Sequence, residues 1–227
     1  MYLVFCKLTE NHLPSHIVFR FQLFGIQVSV LPWFWITMAL LGSNFATSSS
    51  EIIKVILFVI AGFTSILIHE LGHALTVKAF KQPTEIVLQA FGGFATYPLR
   101  VLSRKQEFLV VAAGPALQIA FGVPVFLILN FVKLPDSMGV FFLLIFTWIS
   151  LVWAVFNLIP VYPLDGGKIL DCILGPDRRK ITHGVSIALA VIAAIYGLKV
   201  EQPFIAIFMG FFAVQNFGYF KNPTSRP

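Results

Sequence analysis

The chain has 227 residues, of which 58% are hydrophobic and only 11% charged, with a mean hydropathy of +0.87. A soluble domain carries about a quarter charged residues, so a water-soluble enzyme or binding module is excluded and a polytopic membrane protein is implied. The net charge of +6 fits basic loops on one face of a membrane, and no nucleic-acid partner is expected because no Lys/Arg cluster is interleaved with stacking aromatics.

In chain order, residues 1–20 are mixed and carry Lys7, His12, His16 and Arg20. Their first six residues are apolar but too short for the core of a cleavable signal peptide. Cys6 and Cys172, the only two cysteines, have no metal-ligand or redox spacing and read as reduced thiols. Residues 19–30 alternate apolar and polar in part, which predicts a strand lying in the membrane interface. Pro32-Trp33-Phe34-Trp35 then leads into a first span ending near Leu41. That span is short if the strand forms, and its aromatics suit the headgroup level.

A polar loop over 42–50 precedes a second span over about 52–80, broken by Lys81-Gln82-Pro83 because proline cannot continue a helical ladder. Residues 84–99 place β-branched and aromatic residues on either side of Gly92-Gly93, which predicts a hairpin. So apolar a hairpin must lie against or within the membrane, with protein covering its edges. A third span over 106–131 contains Ala113-Gly114-Pro115 and Gln118, and a fourth over 138–159 ends at Asn157-Leu158-Ile159-Pro160. The broken segment Val161-Tyr162-Pro163-Leu164-Asp165-Gly166-Gly167 opens a short helix to about residue 174. Spans over about 181–198 and 203–220 follow. The expected fold is an α-helical polytopic membrane protein, about six transmembrane helices with a small membrane-associated β-hairpin or sheet, forming one domain over 1–227.

The chemistry lies in the second span. His69-Glu70-Leu71-Gly72-His73 sits in an apolar run that is otherwise almost uncharged. On a helix, His69 and His73 share one face, with about 5–6 Å between their β-carbons. That suits two nitrogen ligands on one tetrahedral zinc ion, with Glu70 placed to act on a water rather than as a ligand. Two imidazoles and a carboxylate at membrane depth are costly unless used or paired.

Topology supplies a third ligand. Six spans with both termini cytoplasmic put 13 of the 16 Lys and Arg residues inside, leaving Lys54, Lys133 and Lys199 outside. His73 then lies about 10 Å from the cytoplasmic end of its helix at 1.5 Å per residue. Asp165 follows the return of the fourth span to the same side, so the three can meet at one depth. Asp165 also reads as a turn former ahead of the paired glycines. Asp171 reads as a helix-surface residue, and His12, His16 and His183 as solvated.

Together these motifs resemble the site-2 protease family, the membrane-embedded zinc metalloproteases of intramembrane proteolysis. The resemblance rests on His69-Glu70-Leu71-Gly72-His73, Phe91-Gly92-Gly93, Ala113-Gly114-Pro115, and Asn157-Leu158-Ile159-Pro160 continuing through Leu164-Asp165-Gly166-Gly167. It covers a core of roughly residues 52–174, and the opening Phe24-Gly25-Ile26-Gln27-Val28 into Pro32 is also similar. It implies one zinc ion per chain on His69, His73 and Asp165, with Glu70 as the catalytic acid/base. It further implies an extended substrate held by strand addition along residues 91–97, with Phe91, Gly92, Gly93 and Phe94 among the substrate-binding residues and Asn157 near the site. Where the family often has Asn, this chain has Gln118, which joins the substrate-binding candidates. The expected partners are a transmembrane protein substrate and the lipid bilayer, in the cytoplasmic membrane of a prokaryote. No PDZ or CBS domain is visible in the sequence, so that kind of regulation is expected to be absent or supplied by a separate protein. Two other classes compete: a membrane zinc transporter, which would spread its ligands through the bilayer, and a catalytically silent helix-binding homologue, which would have lost Glu70 or a ligand.

Overall fold

The computed structural model describes residues 18–45, 51–90, 92–98 and 101–221. Strands β1 (Phe19–Leu23) and β2 (Ile26–Val30) pair antiparallel, with Leu23 opposite Ile26. Phe24 and Gly25 turn the chain between them with φ of 52° and 69°, the left-handed pair that a two-residue hairpin turn needs. The single strand expected over 19–30 is therefore a hairpin. β2 continues the sheet by pairing parallel to β3 (Glu85–Gln89), which pairs antiparallel to β4 (Gly92–Thr96). The order is β1-β2-β3-β4, with β4 at an edge.

Alternation decides which face of this sheet is covered. Ile26, Val28 and Val30 of β2 and Ile86 and Leu88 of β3 are all at most 1% exposed, as a period of two on one buried face requires. They pack on Phe34 and Met38 of α1 (Pro32–Gly42) and on Ile66, Leu67, Leu71 and Ala74 of α2 (Ile52–Ala79). The sheet thus sits on the C-terminal half of α2, the half that carries His69 and His73.

Among the described residues, five helices are long and apolar enough to cross a membrane: α2, α3 (Arg104–Phe131), α4 (Met138–Asn157), α6 (Arg179–Lys199, preceded by the short 3-10 turn Pro176–Arg178) and α7 (Pro203–Lys221). Each lies within a few residues of an expected span. The remaining expected span is the 11-residue α1 and the 3-10 turn Ser43–Phe45. α1 is too short to cross alone, but it runs back along α2. Phe34 and Trp35 meet Phe63, Met38 lies over Gly62, and Phe45 reaches Phe58. The short helix α5 (Asp165–Leu174) follows a loop containing the cis Tyr162–Pro163 bond.

Local signals set the helix ends. Pro32 occupies the first turn of α1, where its missing N–H costs nothing. Ser103 and Gln106 form a capping box at the start of α3, each side chain accepting from the other's backbone N–H. Many Ile, Leu, Val and Phe side chains on the helices are exposed, including Ile52, Ile56 and Ile60 of α2 and Phe204, Ile207 and Val214 of α7. Exposed apolar helix faces on this scale are those of a multi-pass membrane protein, where lipid meets them.

Candidate metal centre

Helix α2 presents His69 and His73 one turn apart, with ring centroids 4.8 Å apart and nearly perpendicular. Both are buried. Burial at this depth needs close backbone approach, and two glycines permit it. A β-carbon on Gly72 would fall 2.4 Å from the Ala113 carbonyl oxygen, and one on Gly114 would fall 2.3 Å from the His73 Nε2 and Cε1 atoms. The α2 and α3 backbones therefore touch where His73 slots in, as small residues allow between membrane helices. Pro115 next to Gly114 has no N–H, so the Val111 carbonyl loses its helical partner and the local ladder opens.

Asp165 arrives from the start of α5. Its two following glycines pack the helix back on the preceding loop: a β-carbon at Gly166 would fall 2.1 Å from the Leu158 carbonyl oxygen, and one at Gly167 2.3 Å from the Tyr162 nitrogen. Asp165 Oδ2 then lies 3.0 Å from His69 Nε2 and 3.3 Å from His73 Nε2, and the two Nε2 atoms are 3.2 Å apart. Residues separated by nearly a hundred positions thus form one buried triangle.

The outer nitrogens determine what this triangle is. His73 Nδ1 is 2.7 Å from the Val110 carbonyl oxygen, and His69 Nδ1 is 3.0 Å from Gln118 Oε1. Both of those oxygens can only accept, so both Nδ1 atoms carry the donated protons and both neutral rings turn a bare lone pair inward. Two imidazole lone pairs and a carboxylate oxygen then face one another at 3.0–3.3 Å. That is repulsive unless a positive charge sits among them. A proton on one Nε2 would relieve part of it, yet the buried Asp165 Oδ2 accepts no hydrogen bond of acceptable geometry. A metal ion relieves all of it. Tetrahedral zinc, with bonds of about 2.0–2.1 Å, holds its ligand atoms about 3.3–3.4 Å apart. The triangle fits that ion in both geometry and donor chemistry.

Lys168 Nζ lies 3.8 Å from the outer Asp165 Oδ1. That ammonium favours the carboxylate form of Asp165, the form in which the group binds a metal.

Glu70 is buried beside the triangle and lies under the sheet. A β-carbon on Gly93 would fall 2.8 Å from Glu70 Cγ, so only glycine lets β4 cross above this carboxylate. Gly92 has φ +126° and rests on the Trp153 indole. The paired glycines are thus the start of an edge strand rather than the expected turn. Phe94 stands opposite Val87 in the same strand. Phe91 lies outside the described residues, as do Cys6, His12 and His16.

Two candidates sit elsewhere than expected. Gln118 is wholly buried, with its amide engaged by His69 and Ser65, so it offers no surface for substrate contact. His183 is buried in α6 rather than solvated, its Nδ1 bonded to Asn216 Oδ1 of α7 at 2.8 Å. Asn157, at the end of α4, donates to the Trp153 carbonyl one turn back. Asp171 stays at the helix surface, paired with Arg179 at 3.7 Å. Burial, followed by Glu107 and Asp171, pushes the Cys172 thiol up to about 11, which suits neither ligand nor nucleophile. Ser65 and Ser150, which join Gln118 in one hydrogen-bonded chain, were not singled out from the sequence. Their signal was available as small polar residues inside apolar spans, where polar groups seek partners.

The family model described as peptidase family M50 matches residues 132–198, a stretch that holds Asp165 but neither His69 nor His73. A zinc metalloprotease of Methanocaldococcus jannaschii is 28% identical over 185 residues, covering 78% of this chain and 53% of the relative. A putative zinc metalloprotease of Synechocystis is 32% identical over 169 residues, covering 69% and 44%. The chain spans about half the length of these relatives. The solved structure of the site-2 protease from Methanocaldococcus jannaschii superposes with a TM-score of 0.63 at 25% identity, covering 89% of this chain and 95% of that one.

Proposed function

Because this chain belongs to peptidase family M50, the site-2 proteases, we propose that it is an intramembrane zinc metalloprotease. It hydrolyses a peptide bond in or near a transmembrane segment of a membrane protein, close to the cytoplasmic side. His69, His73 and Asp165 hold one zinc ion, and Glu70 is the general acid/base. The observation that carries this reading is the convergence of two inward lone pairs and a carboxylate oxygen at tetrahedral-edge distances. The core spans roughly residues 52–174, and the whole chain acts as one domain.

A zinc ion held by His69, His73 and Asp165 would supply Lewis acidity toward the scissile carbonyl and the attacking water. The rest falls to the chain. With three ligands from the protein, such an ion would have room for a water. Glu70 adjoins His69 in sequence, takes the proton from the attacking water, and returns it to the leaving amine. A helical substrate has its carbonyls tied up in its own ladder, so it must unwind before attack. Edge strand β4, directly above Glu70, replaces those hydrogen bonds by strand addition, with Phe91, Gly92, Gly93 and Phe94 as the contact segment and Asn157 beside it. The bias of basic residues supports cytoplasmic termini in a prokaryotic cytoplasmic membrane, and His73 lies six residues from the end of α2, about 9 Å along the axis. Water has a short path to that depth. Regulation by a separate protein fits the same reading.

The test is incubation of purified protein and its Glu70→Gln variant with single-span membrane proteins, reading product masses and zinc content together. The expected result is cleavage by the wild type, none by the variant, and equal zinc in both. Cleavage by a zinc-loaded Glu70→Gln preparation would overturn the assignment.

A further inference from the structure

Gln118 has no charge and is wholly buried, yet its amide is bonded at both ends. Ser150 Oγ of α4 donates to Ser65 Oγ of α2 at 2.9 Å. Gln118 Nε2 of α3 donates to the same Oγ at 2.8 Å and to the Ser65 carbonyl at 3.3 Å. Its Oε1 lies 3.0 Å from His69 Nδ1. All four of these groups are buried, with Ser65, Gln118 and Ser150 at 0% exposure.

The chain of bonds permits one orientation. The Ser65 carbonyl can only accept, so the NH2 end of the Gln118 amide must face it. Oε1 is then committed to His69, and because Oε1 can only accept, His69 Nδ1 must hold the ring proton. The lone pair is left on Nε2, the atom 3.0 Å from Asp165 Oδ2. Flipping the amide would set NH2 against Nδ1 and C=O against C=O, and would push the ring proton to the inward nitrogen. That would place a proton where the metal must bind.

We propose that Gln118 is the positioning residue for the metal, holding His69 in the Nδ1–H tautomer with its Nε2 aimed inward. The role rests on the reading of His69, His73 and Asp165 as a zinc centre. Gln118 acts through His69 and touches neither substrate nor reacting atoms. His73 gets the same service from the Val110 backbone carbonyl, which side-chain substitution leaves in place. The His69 half of the pair is the half that a side chain controls.

A mere helix tie would depend on the bonds from Gln118 to Ser65, whereas positioning depends on the acceptor facing His69. Two substitutions separate them. Gln118→Leu removes both. Gln118→Glu gives up the amide donor to Ser65 but keeps an acceptor toward His69, and a charged one. Zinc affinity is measured on detergent-purified protein by competition with a chromophoric chelator, alongside the visible spectrum of the cobalt-substituted protein and thermal unfolding of the metal-free protein. Loss of the outer partner of a ligating histidine weakens metal binding about 10–100-fold. Gln118→Leu is expected to show that loss and an altered cobalt spectrum. Gln118→Glu is expected to bind zinc at least as tightly as the wild type, with the wild-type spectrum, even if it unfolds at a lower temperature. Wild-type affinity in folded Gln118→Leu, or a tenfold loss in Gln118→Glu, overturns the proposal. If Gln118→Leu does not fold, the Gln118→Glu comparison alone decides. His69→Ala and Asp165→Ala run in parallel. If these keep wild-type zinc affinity, the metal centre itself is misassigned and the positioning role falls with it. If they lose zinc while Gln118→Leu keeps it, only the positioning role falls.

Discussion

Gly114→Ala tests the geometry of the centre with a single methyl group. The new β-carbon would sit 2.3 Å from both Nε2 and Cε1 of His73 and 2.9 Å from Cδ2. Ordinary contact begins near 3.4 Å, so the ring and the α3 backbone must part by about 1 Å. The ring has little freedom to give, since Nδ1 is tied to the Val110 carbonyl at 2.7 Å on the same helix as the intruding methyl. Separating the helices does not help locally, because a shift that clears Gly114 carries Val110 away as well. Zinc bonds tolerate about 0.2 Å, so a displacement of about 1 Å removes Nε2 as a ligand. Overpacking itself costs about 1–3 kcal/mol of stability, and loss of one ligand of three is expected to weaken zinc binding more than about 100-fold, beyond the usual effect of an outer partner. The assay is zinc competition on purified protein, with substrate cleavage at saturating and limiting zinc. Gly210→Ala in α7 is the matched control, because nothing lies within 4 Å of its would-be β-carbon. It should leave zinc binding unchanged and gain up to about 1 kcal/mol of helix stability. Wild-type zinc affinity in Gly114→Ala would refute the packing account of how His73 is held.

Other perturbations reach different parts of the molecule. Gly93→Val should abolish turnover while leaving zinc content intact, because its β-carbon would fall 2.8 Å from Glu70 Cγ and 2.6 Å from Leu88 Cδ2; loss of zinc along with turnover would place the damage at the wrong group. Asn216→Leu should lower the unfolding temperature and weaken zinc binding severalfold, since it strips the Tyr162 carbonyl and His183 of their shared partner and leaves buried polar groups costing about 1–3 kcal/mol each; unchanged stability would count against that link. In a Cys6→Ser background, Cys172 should alkylate roughly a hundredfold more slowly at pH 7.5 than a thiol of ordinary pKa, because only the thiolate reacts and its pKa is raised to about 11. Its rate should climb with pH up to that value. A plateau near pH 9 in stopped-flow alkylation would contradict the burial argument.

The long helices were legible because an apolar run of bilayer length has few other uses. The second span was expected over 52–80 and α2 covers Ile52–Ala79. The meeting of Asp165 with the histidines was legible too, since span parity and the basic loops bring both to one side. The β1–β2 hairpin was not. Its turn uses Phe24 at positive φ, a residue that gives no turn signal, and the strand pairing that stabilises it comes from β3, more than fifty residues later. Gly92 and Gly93 were legible as special but not as strand residues, because what they accommodate, Trp153 and Glu70, lies on other helices. His183 was misread for a similar reason. It follows the basic run 178–180, yet α6 already begins at Arg179, so His183 faces Asn216 inside the bundle rather than water. Side-chain partners across helices are tertiary facts, and one-dimensional periodicity does not carry them.

The same lesson explains how a carboxylate at the first residue of a short helix, just after an irregular loop, is held beside two histidines on a long one. The peptide ahead of Asp165 has no ladder of its own, so its polar groups need outside partners. Helices α6 and α7 supply them. Ser186 Oγ accepts from the Tyr162 N–H at 3.0 Å, and Asn216 Nδ2 donates to the Tyr162 carbonyl while its own Oδ1 meets His183. Val161 and Leu164, on either side of Tyr162, bury against Ala190, Met209 and Phe212. Gly166 and Gly167 then seat α5 on the same peptide. Among the described residues, Ser186 and Asn216 of the C-terminal helix pair thus hold the Tyr162 backbone, while Gln118 and Val110 of α3 hold the outer nitrogens of His69 and His73, with Ser65 of α2 and Ser150 of α4 behind Gln118. The triangle closes only where these two sets of restraints agree. This makes the last two helices part of the centre's geometry although neither contributes one of its three converging atoms.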